Sequence, residues 1–181
     1  MGGTDSSVHI RGVSRDRVRP PSWGRTVDGP DAGQTWTQTG DLLLLVNHLR
    51  LERFHLIATV LGGYVGYDFA LSYPERLRSA VIANSVGGFQ DEQLVALQER
   101  LRPSRLSEML ADFIELGPAY RASSPAGVQR WLERDKKSRH SAKSGTPLQH
   151  RLTLGLLEAI QTPMLLLTAA LTSSHLPPFR T

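Results

Sequence analysis

The sequence contains no cysteine. That excludes disulfide staples, thiolate nucleophiles and cysteine-ligated zinc, and it fits a reducing cytoplasm. Long hydrophobic runs are missing too. The longest, Leu42–Val46 and Met164–Leu167, fall far short of the ~20 apolar residues that cross a bilayer. The opening residues, MGGTDSSVHIRGVSRDR, lack the apolar centre of a signal peptide. The expected location is therefore the cytoplasm, with no membrane partner. The six histidines, at 9, 48, 55, 140, 150 and 175, show no metal-ligand spacing, so no metal is expected. No Walker lysine is present. Gly62-Gly63-Tyr64-Val65-Gly66 follows a strand-like run, but Leu61 stands where a dinucleotide turn needs its first glycine. No cofactor is expected.

What is present is the composition of a folded domain: 181 residues, 40% of them hydrophobic, enough for one core. The net charge is +4, and much of the excess sits in Arg11–Arg25 and in Arg134–Lys143. No aromatic residue interleaves the second run, so it reads as a solvated helix end and polar loop rather than a nucleic-acid face.

The chain is organised around FHLIATVLGGYVGYDFALSYP, residues 54–74. Phe54, Leu56, Ile57 and Ala58 predict a buried strand. Leu61-Gly62-Gly63 leads without a loop into a helical pattern, Val65, Phe69, Ala70 and Tyr73, which Pro74 ends. Gly62, Gly63 and Gly66 are expected to let the helix backbone approach the sheet. Before this stretch, Leu42, Leu45, Val46 and Leu49 share one face of a helix expected within 37–50. After it, Pro74–Leu77 forms a turn and Ser79–Asn84 a second parallel strand, making a βαβ unit. Asp91–Arg102, Leu106–Leu116, a segment opening at Ser124-Pro125 and one opening at Thr146-Pro147 read as helices. Met164–Thr168 reads as a third strand, opened by Pro163. Val8–Ile10 fits a further short strand.

The strand–turn–helix at 54–74 resembles the nucleophile elbow of the α/β-hydrolase fold, G-x-S-x-G. The aligned residues are Ala58, Thr59, Val60, Leu61 and Gly62. Ser72–Ser85 is close to the family's "Y/H-P-E-R-V/L-R-S-L-V-L-A-N-S". Leu49–Phe54 looks like the link that precedes the elbow strand, and Leu157–Thr168 fits the seventh-strand pattern. His9–Asp16 matches the turn after the fourth strand only at Arg11 and Gly12. The resemblance implies an α/β class: a partial α/β-hydrolase fold, with a short, mostly parallel sheet flanked by helices and a helical cap insertion. The expected divisions are an irregular segment 1–36, a hydrolase core 37–85 and 161–168, a cap 86–160 and a tail 169–181. A full member carries about eight strands, so the sequence suggests a truncated or frame-altered member. Its sheet edges would be uncovered and prone to self-association.

The same resemblance implies hydrolysis of esters or related small acyl substrates by a nucleophile, an acid and a histidine. Here the nucleophile position holds Val60, which has no atom able to attack a carbonyl. No acid follows Met164–Thr168, and no eighth strand is legible to carry the histidine. The expectation is a hydrolase by descent, inactive or very weak. The alternative is a non-catalytic binding module for a small apolar ligand or a protein partner, its floor made apolar by Val60. The Leu61 backbone N–H would be one oxyanion donor, beside Gly62 and Gly63; the loop giving the second would precede Met1. Thr59, Val60, Ser85 and Trp131 are the pocket candidates. Asp91 is read as an N-cap of the helix after it, and Thr59 as a turn residue.

Overall fold

A computed structural model of the chain describes residues 16, 18, 37–101, 108–138 and 147–168. The strand at Val8–Ile10, the turn at His9–Asp16 but for Asp16, Thr146, the run Arg139–Lys143, His175 and the tail 169–181 lie outside them.

The described order is α1 (Gln38–His48), β1 (Phe54–Thr59), α2 (Gly62–Ser72), a 3-10 turn (Pro74–Arg76), β2 (Leu77–Ala83), α3 (Glu92–Leu101), α4 (Ala111–Glu115), α5 (Pro118–Ser123), α6 (Pro125–Ser138), α7 (Leu154–Glu158) and β3 (Met164–Leu167). The three strands lie in the order β1-β2-β3, all parallel. Leu56, Ile57 and Ala58 face Ala80, Val81 and Ile82 in register, and Met164–Leu167 continue the rows from Ala80–Ala83.

Helix α1 starts where Thr37 caps it, its side chain accepting the Gly40 N–H at 2.9 Å. Leu42 and Val46 turn inward and meet Phe69, Ala70, Leu77 and Ala80 in one cluster. A second cluster joins Ala58, Tyr67, Ile82 and Leu152. Both lie where α2 packs on one face of β1 and β2. Glycine makes that approach possible. A Cβ on Gly66 would stand 2.7 Å from Ile82 Cδ1 and 3.0 Å from Ala58 Cβ; one on Gly63 would stand 2.4 Å from Ser85 Cβ. Gly62 behaves otherwise than expected: a Cβ there meets nothing within 4 Å, because it begins the helix before α2 closes on the sheet.

The expectation that β1 is a buried strand is corrected. One face of β1 packs inward, but Ile57 on the other is 72% exposed, and Leu165, on the far side of Val81 in the same sheet row, is 54% exposed. Among the described residues α1 and α2 cover one face only, whereas parallel strands are ordinarily covered on both.

Two helix boundaries also differ. Leu110, with φ −66° and ψ 149°, is extended and interrupts the helix expected over 106–116, and α4 follows it from Ala111. Arg121 then closes its end, donating to the Leu116 carbonyl at 2.7 Å while its guanidinium lies over the Phe113 ring. The helix expected from Pro147 begins only at Leu154, where Thr153 caps it. Residues 147–153 run instead as an irregular strap across α2.

Gly63→Ala and Gly66→Ala are each expected to lower the unfolding free energy by about 1–3 kcal/mol through overpacking. Gly62→Ala should cause no loss. Urea denaturation of the three variants checks the contrast.

Candidate functional site

Two residues join β1 to α2, and since Leu61 is already helical at φ −62° and ψ −29°, Val60 is left to reverse the chain direction. Val60 does so with φ 51°, in the left-handed region. A β-branched side chain there is a marked outlier, and such strain typically costs ~1–3 kcal/mol. The surroundings hold it in place. The Val60 N–H donates to the Ala83 carbonyl at 3.1 Å, and the Val60 carbonyl accepts from the Gly63 N–H at 3.1 Å. Thr59, Leu61 and Gly62 are exposed, and Val60 itself is 56% exposed.

Ser85 stands against this turn. Its Oγ would lie 2.2 Å from a Cβ on Gly63, and it accepts the Gly87 N–H at 3.2 Å. Val86 beside it is exposed. Gly63 and Ser85 are thus in contact at the helix start, with Thr59, Val60, Leu61 and Gly62 leading into it. Trp131 is half-buried on α6, whose packing is with α4 and α5. The turn offers apolar side chains, and of the N–H groups that open α2 those of Gly63 and Tyr64 already donate to the Val60 and Leu61 carbonyls. A valine there can line a surface but cannot donate, accept or attack.

Asp91 stands at the N-cap position of α3, directly before Glu92, and its side chain does more than cap. Its backbone carbonyl accepts the Val95 N–H, but its carboxylate accepts the Leu154 N–H at 2.9 Å and so tethers the start of α7. The Gln90 N–H donates to the Leu152 carbonyl at 2.9 Å alongside it.

A polar cluster the sequence reading did not single out lies within α2. Asp68 is fully buried, at 0% exposure. Its carboxylate accepts the Gln149 N–H at 2.8 Å, the His150 N–H at 2.9 Å, His150 Nδ1 at 2.8 Å and the Thr39 hydroxyl. Ser72 Oγ donates to the Asp68 carbonyl at 2.7 Å and sits 3.4 Å from His150 Nδ1. The available signal was an acid set next to Phe69 and Ala70 in an otherwise apolar helix; its partner, 82 residues on, was not legible. Burial raises the pKa of Asp41 and of Tyr67; neither belongs to the turn. Among the described residues no group of three or more His, Asp or Glu is arranged to hold a metal. No helix among them is long and apolar enough to cross a membrane.

This strand–turn–helix, with a parallel sheet and flanking helices, is part of an α/β-hydrolase fold. A hydrolase from Pseudomonas aeruginosa PA01 superposes with a TM-score of 0.60 at 25% identity, over 82% of this chain and 58% of that one. An α/β hydrolase enzyme from a Medee basin deep-sea metagenome library superposes at 0.52 with 18% identity, over 79% and 56%, a likeness of fold alone. In sequence, a Bacillus subtilis protein provisionally named 2-succinyl-6-hydroxy-2,4-cyclohexadiene-1-carboxylate synthase is 33% identical over 90 residues, 48% of this chain and 31% of that protein. An Agrobacterium fabrum protein provisionally named carbamate hydrolase RutD is 34% identical over 79 residues, 44% and 30%. The matches thus span about a third of each of these curated relatives. No family model matches the chain.

Proposed function

We propose that this chain descends from α/β-hydrolases acting on small ester or related acyl substrates, and that Val60 occupies the place of their nucleophile. The observation that carries this reading is the φ of 51° at Val60, between β1 and α2. A strained strand-to-helix turn is what an elbow uses to project its nucleophile. Valine in that place leaves nothing to form an acyl-enzyme, so esters are not cleaved there.

A binding role for the same surface is favoured by a specific feature: Val60, Leu61 and Val86 are 56%, 54% and 63% exposed. Such a surface suits a small apolar ligand, or the apolar part of an ester, better than an ion. We also propose that the chain self-associates through its open sheet, where Ile57 and Leu165 are exposed on the same face.

A fluorophosphonate probe, which labels activated serines, is expected to leave the native chain without an adduct by intact mass. A stoichiometric adduct on the native chain would contradict the reading. The mass measured by light scattering should rise with protein concentration; a constant monomer mass at high concentration sinks the self-association.

A further inference from the structure

We propose that His150 is a nucleophilic imidazole, backed by the buried Asp68 carboxylate, which accepts acyl groups from small activated esters at a site apart from the strand-to-helix turn. Two hydrogen bonds hold the residue in place. Its backbone N–H and its Nδ1 both meet Asp68 Oδ1, at 2.9 and 2.8 Å. A carboxylate only accepts, so Nδ1 carries the proton. Ser72 does not change this, because its hydroxyl is donated to the Asp68 carbonyl at 2.7 Å. In the neutral ring the lone pair is therefore on Nε2.

That atom is available. Among the described residues Nε2 has no hydrogen-bond partner, and it is not one of the buried polar atoms left without one. The His150 side chain is 38% exposed while its carboxylate partner is fully enclosed. His48 and His55 offer a contrast. Among the described residues neither has a carboxylate partner, and His55 Nδ1 meets Ser79 Oγ at 2.8 Å. The site is also distinct from the turn. Asp68 lies toward the far end of α2 from Val60, roughly 10 Å along the helix at 1.5 Å per residue.

The chemistry balances with water as the only co-reactant. The Nε2 lone pair attacks the ester carbonyl, and the aryloxide leaves with the electron pair of its bond to carbon. The acylated ring keeps its Nδ1 proton, and its positive charge faces Asp68 at hydrogen-bond distance, where burial strengthens the attraction. Water then adds to the acyl carbon, the carbon–nitrogen bond returns its electron pair to Nε2, and a proton passes to solvent. Ester and water become acid and phenol.

The test is p-nitrophenyl acetate hydrolysis at neutral pH, with the fold of each variant checked by circular dichroism. His150→Asn keeps an amide donor near the place of Nδ1 and deletes Nε2. It is expected to lower the rate above buffer by about tenfold, less than a positioned general base commonly contributes, while His48→Asn and His55→Asn leave it unchanged. A folded Asp68→Asn variant should fall toward the His150→Asn rate; if Asp68→Asn does not fold, His150→Asn decides alone. Equal rates for His150→Asn and the native chain overturn the proposal. The fluorophosphonate result does not bear on it, since that probe reads serine at the turn and this assay reads an imidazole elsewhere.

Discussion

Everything described here depends on how the chain passes from β1 into α2 with no loop between them. The join forces residue 60 into the left-handed region, at φ 51°, and sets α2 so close to the sheet that side chains at 63 and 66 have no room. Once α2 is seated, Phe69 and Ala70 are fixed against α1 and β2, and Tyr67 against Leu152. Asp68 then faces the strap 147–153 and Thr39 at once, and its carboxylate joins three separated parts of the chain. A buried carboxylate is tolerated when donors surround it, and removing it would leave those donors unmatched.

Much of this was legible in the sequence, for physical reasons. The strand–glycine–helix run at 54–74 carries its own periodicity and stop signal. The strands expected at Ser79–Asn84 and Met164–Thr168 fall within or beside the observed Leu77–Ala83 and Met164–Leu167 because Ala80–Ala83 and Met164–Leu167 are short apolar runs, and the parallel order follows from the helices between them. What was not legible depended on contacts distant in sequence. Thr146-Pro147 looked like a helix start, yet Gln149 and His150 give their N–H groups to Asp68 and leave the helix to begin at Leu154. Asp91 stands at the cap position of α3, but the bond from its carboxylate to the start of α7, 63 residues further on, had no local signal. The exposure of Ile57 and Leu165 follows from which faces of the sheet are covered, and no local pattern states that.

On the proposed reading the turn separates two properties, a strained backbone at residue 60 and a side chain able to attack: the first is present at φ 51° and valine cannot supply the second. The hydrolase likeness therefore describes the scaffold, while the only carboxylate-backed histidine among the described residues lies away from the turn, on the strap across α2.

The central claim is that residue 60 is held in a conformation that valine resists, as an elbow requires. Thermal and urea unfolding of Val60→Gly, beside Thr59→Gly as a control, tests this most directly. Glycine adopts φ > 0 without penalty. Val60→Gly should therefore raise the unfolding free energy by about 1 kcal/mol, while Thr59→Gly, in the strand, lowers it by a similar amount. If Val60→Gly instead destabilises the chain as much as Thr59→Gly does, the turn is not strained at residue 60 and the elbow account fails.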